Sequence, residues 1–212
     1  MSIIKFTNET IIKAFCSALS KDEKVKKFLT PLQNYHPPTY EHTLRVCEVA
    51  TDIFVYGPIN SATQTSSETY VPWIIYGALL HDVGKLKVPL DILDKKEKLE
   101  EVEINVIKSH AYYLRELLAD FKPQEAVDVA LGSHEWNNHH SYPRNEARQN
   151  GIITELSQIL AAADIADSLF FPRPYNVNYR TYTKEKIAKI IKKDFKGKQE
   201  HVDEVLLRYQ KP

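Results

Sequence analysis

The chain has 212 residues and a mass of 24.5 kDa, which suits one domain, or one domain with an extension, and allows a sizeable core. Hydrophobic residues make up 43% and charged residues 26%, and Lys+Arg and Asp+Glu number 28 each, so no global charge directs the chain to a nucleic acid polymer or an anionic membrane. The longest strongly apolar run, WIIYGALL at 73–80, is too short to span a bilayer, and the N-terminus MSIIKFTNETIIK lacks a secretory pattern. With only Cys16 and Cys47, both among apolar neighbours, the expectation is a cytoplasmic protein with two buried free thiols and no membrane contact.

Nearly every periodic signal is helical. Asn8 is placed to cap a first helix with Ile11, Ile12, Ala14, Phe15 and Leu19 as its apolar residues. The capping-box pattern SKDE at 20–23 opens a second helix predicted to end before Pro31, and NYHPPT at 34–39 is a break. A helix over 40–56 turns Leu44, Val46, Cys47, Ala50, Ile53 and Phe54 inward, and Gly57 and Pro58 stop it. NSATQTSSET at 60–69 reads as an exposed loop. VPWIIYGALLHDVG at 71–84 is apolar all round, which predicts a central buried helix.

A short amphipathic piece leads into a long helix over 99–121, with a stripe of Leu99, Val102, Val106, Ile107, His110, Tyr113, Leu114 and Leu117. Pro123 suits the first turn of a helix ending near His134. After the loop SHEWNNHHSYP at 133–143, residues 153–170 form another mainly buried helix, followed by the proline-broken loop FPRPYNVNYRTYT. Two amphipathic helices close the chain, with Ile187, Ile190, Ile191 and Phe195, then Val202, Val205 and Leu206, inward. No strand series, GxGxxG, P-loop or internal repeat is found, so the expected fold is all-α and compact.

The informative positions are polar residues on those apolar faces. His42 shares a face with Val46, Val49, Ala50 and Ile53; His81 and Asp82 end the most apolar helix; His110 lies within the long stripe. His134 continues the face of Val127, Ala130 and Leu131, and Asp164 follows Leu156 and Leu160 at four-residue intervals. A single inward histidine is ordinarily a hydrogen-bonded core residue, and a single aspartate at a helix end is ordinarily a cap. Five helices that each bring a metal-ligand type inward are explained together by one shared site between them, since burying such groups without partners is costly.

These residues resemble the HD superfamily of metal-dependent phosphohydrolases, and within it the HD-GYP branch, over about residues 40–175. The matching segments are YEHTLRV, LLHDVGKLKVPLDIL, SHEWNNHHSYP and AADIADSLFFPRPY. The resemblance implies an HD-domain helical bundle with a metal site between the central helices. It makes His42, His81, Asp82 and Asp164 ligands of a primary metal, with Asp82 bridging to a second metal held by His110 and His134. It makes Asp82 and Lys85 the catalytic pair and gives Lys85 and Arg173 contact with substrate phosphate. Beside the resemblance, two readings stand for each of two further residues: Trp136 stacks on a nucleotide base or packs on the scaffold at the rim, and Tyr142 faces substrate or only fixes the path of the loop.

The chain departs from the branch pattern at several places. Ser133 replaces the first histidine of the HHE motif, and Asn138, His139 and Ser141 replace the aspartate and both glycines of DGxGYP, of which Tyr142 and Pro143 remain. Pro38 stands where three-metal members carry glutamate, and Asn176 follows RPY where a basic residue is frequent. The implied activity is hydrolysis of a phosphomonoester or phosphodiester, expected to be a nucleotide, by a metal-activated water. One or two ions of Fe, Mn, Ni, Co or Zn suit the mixed imidazole and carboxylate donors. The departures motivate one alternative, a catalytically silent domain that binds a (cyclic di)nucleotide or a protein partner in signalling. Residues 1–212 are expected to form a single such domain, with 1–33 as an N-terminal helical extension and 180–212 as C-terminal helices. His36, His201 and the lysine-rich KIAKIIKKDFKGK are expected on solvated surface.

Overall fold

The computed structural model describes residues 9–57, 67–136, 142, 151–171 and 182–209. Among them every regular element is helical: α1 (Glu9–Ser20), α2 (Glu23–Tyr35), α3 (Pro37–Tyr56), α4 (Ser67–Leu80), a 3-10 turn (Val83–Lys87), α5 (Leu90–Leu93), α6 (Glu101–Lys108), α7 (His110–Leu117), α8 (Gln124–Gly132), a second 3-10 turn (Ser133–Trp136), α9 (Gly151–Phe170), α10 (Lys184–Asp194) and α11 (Gln199–Arg208). The apolar helix α4 lies between α3 and α8, and α9 packs across α3 and α8. At Gly77 a Cβ would come within 2.7 Å of the Val129 side chain, so the absence of a side chain there sets how closely α4 and α8 approach. The core is built from Ile74, Ile75, Leu79, Leu80, Val129, Leu156, Ile159 and Leu160, all without exposed surface. The C-terminal helices cover this core, α10 and α11 against α9, with α11 also against α3.

Several boundaries differ from the sequence expectation. Helix α2 runs through Pro31 to Tyr35, and its N-cap is Asp22, whose carboxylate accepts from Lys24 N at 3.0 Å, while Ser20 belongs to α1. The break falls at His36 alone, because Pro37 and Pro38 occupy the first turn of α3, where a missing N–H costs nothing. In α1, Cys16 is buried as expected, whereas Phe15, expected among the apolar residues of that helix, is 47% exposed. Residues 67–69 begin α4 instead of ending a loop, and Asn8, Pro58, the rest of that loop and the segment 172–181 lie outside the described residues.

The single helix expected over 99–121 is two helices. Ser109 sits at φ −64°, ψ −15°, and its hydroxyl donates back to the Val106 carbonyl at 2.6 Å, competing with the backbone ladder at the junction. Helix α6 buries none of its side chains, so Val102 (66% exposed) faces solvent and the inward stripe begins only at His110. His36 and His201 are buried, not on the surface. His36 contacts Thr39 (2.7 Å) and Asp94 (3.2 Å), and His201 lies 3.1 Å from Glu155, which also accepts from Lys198 at 2.6 Å. Lys186, Lys189, Lys192, Lys193, Lys196 and Lys198 are exposed as expected. Cys16 and Cys47 are free and buried, with sulfurs 3.5 Å apart. No described helix is long and apolar enough to cross a membrane.

Candidate metal centre

Five chain segments deliver the polar residues singled out above to one place. His42 projects from the second turn of α3. The apolar sequence of α4 carries the chain through the core and releases it at His81-Asp82, just past the last helical residue. The 3-10 turn that follows brings Lys85 back over Asp82, with Nζ 2.6 Å from Oδ2. His110 opens α7, His134 lies in the second 3-10 turn, and Asp164 comes from α9. Gly84 makes the approach of the first turn to α7 possible, because a Cβ there would collide with the His110 carbonyl.

These side chains form two groups that share Asp82. His42, His81 and Asp82 offer ligand atoms within 4.8 Å of one another, and so do Asp82, His110 and His134; all are buried. Asp164, 22% exposed, closes the first group: its Oδ1 is 2.9 Å from His42 Nε2 and 3.9 Å from His81 Nε2. His42 and His81 each place Nε2 3.7 Å from Asp82 Oδ2, and His110 Nε2 lies 3.5 Å from Oδ1.

The outward hydrogen bonds fix the tautomers. His81 Nδ1–H donates to the Ala78 carbonyl at 2.7 Å, and His110 Nδ1–H to the Ile107 carbonyl at 2.6 Å. His42 Nδ1–H donates to the Asp167 carboxylate at 2.6 Å. Each ring therefore turns an unprotonated Nε2 towards the centre. His81 Nε2 is fully buried there and has no hydrogen-bond partner. At His42 the Nε2 faces a carboxylate oxygen at 2.9 Å, an arrangement that is repulsive unless a cation or a second ring proton lies between them. The donor set thus fits a divalent cation in chemistry and in polarity.

The electrostatics agree. Burial raises the Asp82 carboxyl, but the Lys85 ammonium beside it outweighs that and holds the group well below the usual range. Burial lowers His134 to about 4, and burial with the neighbouring His134 lowers His110, so both rings are neutral donors at neutral pH.

The substrate-side residues are placed less evenly. Lys85 lines the centre. The Tyr142 ring stacks on His134 at 5.0 Å between centroids and 7° between planes, and its N–H donates to the His134 carbonyl at 3.2 Å. Trp136 is partly buried and packs against the core, with its carbonyl accepting from Lys196 N at 2.8 Å. Arg173, Asn138, His139, His140, Ser141, Pro143 and Asn176 lie outside the described residues. Ser133 is buried and its hydroxyl donates to the Ala130 carbonyl at 2.7 Å, so it does not reach the second group. Sequence reasoning missed Asp167, which sits one helical turn beyond Asp164 and on the same face, a spacing that was available in the sequence.

The described residues thus form a helical bundle that gathers histidines and aspartates from five segments into one candidate metal centre. Residues 39–169 match the HD domain family, and the chain belongs to it. Among curated proteins the chain is 35% identical over 141 residues to a 3'3'-cGAMP-specific phosphodiesterase of Vibrio cholerae, covering 66% of this chain and 28% of that one. It is 36% identical over 116 residues to a cyclic di-GMP phosphodiesterase response regulator of Xanthomonas campestris, covering 51% and 29%. It is 31% identical over 156 residues to a cyclic di-GMP phosphodiesterase of Thermotoga maritima, covering 72% and 40%. The chain thus spans well under half the length of these relatives.

Proposed function

We propose that the protein is a metal-dependent phosphohydrolase acting on a nucleotide phosphodiester, with cyclic dinucleotides as the first substrate class to test. The observation that carries the reading is the shared, buried Asp82 between two imidazole groups whose Nε2 atoms turn inward, one of them, on His81, without a partner. His42, His81, Asp82 and Asp164 would hold one ion, and Asp82, His110 and His134 a second, drawn from Fe, Mn, Ni, Co or Zn. Bound divalent metal supplies Lewis acidity and a nucleophile usable at neutral pH.

The chain's own residues do the rest. Asp82 stays ionised under the influence of Lys85, so it can serve both groups at once. Lys85, held 2.6 Å from Asp82, places a cation where charge develops on the phosphoryl oxygens. Tyr142, stacked on His134, walls the second group, and Arg173 is assigned to substrate phosphate on its sequence motif alone. The identities of the relatives, all cyclic dinucleotide phosphodiesterases, support the substrate class. A single domain over residues 1–212 and a cytoplasmic location, where such nucleotides occur, complete the reading.

The test is turnover of cyclic di-GMP, 3'3'-cGAMP and a panel of phosphomonoesters by metal-loaded protein, with elemental analysis of the same sample. Hydrolysis that is abolished by chelation and by His81→Ala with Asp82→Ala is expected. Tight nucleotide binding by metal-loaded protein without turnover of any phosphoester would replace this reading with that of a silent binding domain.

A further inference from the structure

Asp167 is fully buried on α9, and the ligand set above does not include it. Both of its oxygens are occupied. Oδ2 accepts from His42 Nδ1–H at 2.6 Å and from Arg45 Nη2 at 2.9 Å; Oδ1 accepts from Arg45 Nε at 2.9 Å and from the Tyr209 hydroxyl at 3.1 Å. His42 and Arg45 stand one turn apart on α3 and grip the carboxylate from the same face. Tyr209 arrives from the other side, at the end of α11. It has no exposed surface, its ring stacks on Phe170 at 5.0 Å between centroids, and the Arg45 guanidinium lies 4.3 Å from the centroid of Phe171.

This arrangement has one chemical result. A carboxylate can only accept, so Asp167 keeps the proton of His42 on Nδ1 and the lone pair on Nε2, aimed at Asp82 and Asp164. The bidentate Arg45 contact and the Tyr209 hydroxyl prevent the carboxylate from rotating away. Tyr209 lies forty residues beyond the HD match, which ends at residue 169, so the C-terminal helix reaches back into the support of the centre.

We propose that Asp167 is the positioning residue of His42, and that Arg45 and Tyr209 lock it, so that α11 is a working part of the metal centre. The proposal rests on the reading of His42 as a metal ligand. An amide at position 167 would turn its N–H towards one of the donors. It would either clash with Arg45 and Tyr209 or drive the His42 proton onto Nε2, where the ligand lone pair is needed.

The probe is Co(II), titrated into metal-stripped protein and followed by its visible d–d absorption and by chelator competition. Asp167→Asn is expected to weaken cobalt binding by about tenfold to a hundredfold and to alter the absorption bands. Tyr209→Phe is expected to weaken it by a smaller factor, and to add nothing in the Asp167→Asn background, because it acts through Asp167. Asp52→Asn is the structural control: it breaks the buried Asp52–Arg208 pair between the same two helices, away from the ligands. It should lower the melting temperature and leave the cobalt affinity and spectrum unchanged.

Cobalt affinities for Asp167→Asn and Tyr209→Phe equal to wild type would overturn the proposal, as would an Asp52→Asn affinity loss equal to that of Tyr209→Phe. If Asp167→Asn does not fold, Tyr209→Phe against Asp52→Asn decides. Wild-type protein that takes up no cobalt overturns the metal reading and this proposal with it, whereas wild-type binding that both variants share overturns this proposal alone.

Discussion

His110 and His134 meet edge to face with their Nε2 atoms 3.0 Å apart. Because the His110 Nδ1 proton is committed to the Ile107 carbonyl, its Nε2 presents a lone pair, and the two rings can share that space only through a proton on His134 or through a cation. His110→Ala or His134→Ala should therefore remove the second ion and leave the one at His42, His81 and Asp164 in place. Asp82→Ala should reduce both. Elemental analysis of each variant checks this, and equal metal content in all three would contradict the shared role of Asp82.

Lys85 touches Asp82 without belonging to either imidazole group. Lys85→Met should keep the metal content of the wild type and lower kcat by about a hundredfold to a thousandfold, the usual cost of removing one stabilising group from a phosphoryl or acyl transfer site. A loss that appears only in KM would make Lys85 a binding residue for the ground state.

Gly84→Ala forces backbone to move, since the new methyl would meet the His110 carbonyl and lie 3.0 Å from Leu114 N. Overpacking of this kind costs about 1–3 kcal/mol, and here the element displaced is α7 with His110 at its start. The variant should melt earlier and lose affinity at the second ion more than at the first. A melting curve and metal titration matching wild type would show that the turn yields freely.

Glu155 gives a pH signature away from the metal groups. Burial raises its carboxyl, and the His201 ring 3.1 Å away and the hydrogen bond from Lys198 outweigh that and hold it below its ordinary value of 4.5. A carboxylate with a lowered folded-state pKa contributes stability that is complete above the unfolded value and is lost as pH falls through the folded one. Wild type should exceed Glu155→Gln by about 1–2 kcal/mol at neutral pH, with the gap closing below pH 4.5. Urea unfolding from pH 7 to pH 3 measures it, and a gap that widens on acidification would contradict the assignment.

The sequence was most legible where apolar runs force burial. The unbroken stretch before His81 made α4 central and put its last two polar residues inside, and the spacing of His42, His110, His134 and Asp164 against apolar neighbours brought them to the same place. Helix breaks set by local hydrogen bonding were less legible. Nothing in the periodicity of 99–121 marks Ser109, whose hydroxyl bond to Val106 ends α6, or the outward turn of Val102. Residues that act through others were hidden for a further reason. Arg45 and Asp167 look like solvated charges until His42 and Tyr209 are seen to meet them. The burial of His36 and His201 is hidden in the same way, because their partners Asp94 and Glu155 are distant in the chain.

The His42-to-Asp164 contact joins α3 to α9 across most of the chain, with His81, His110 and His134 contributed in between. No short peptide from this protein can assemble such a set, so ion uptake would be linked to completion of the tertiary fold. A bound ion would then act as a reversible cross-link, and thermal midpoints should climb with the logarithm of free metal concentration. Scarcity of metal would be felt first as a shorter lifetime of the folded chain.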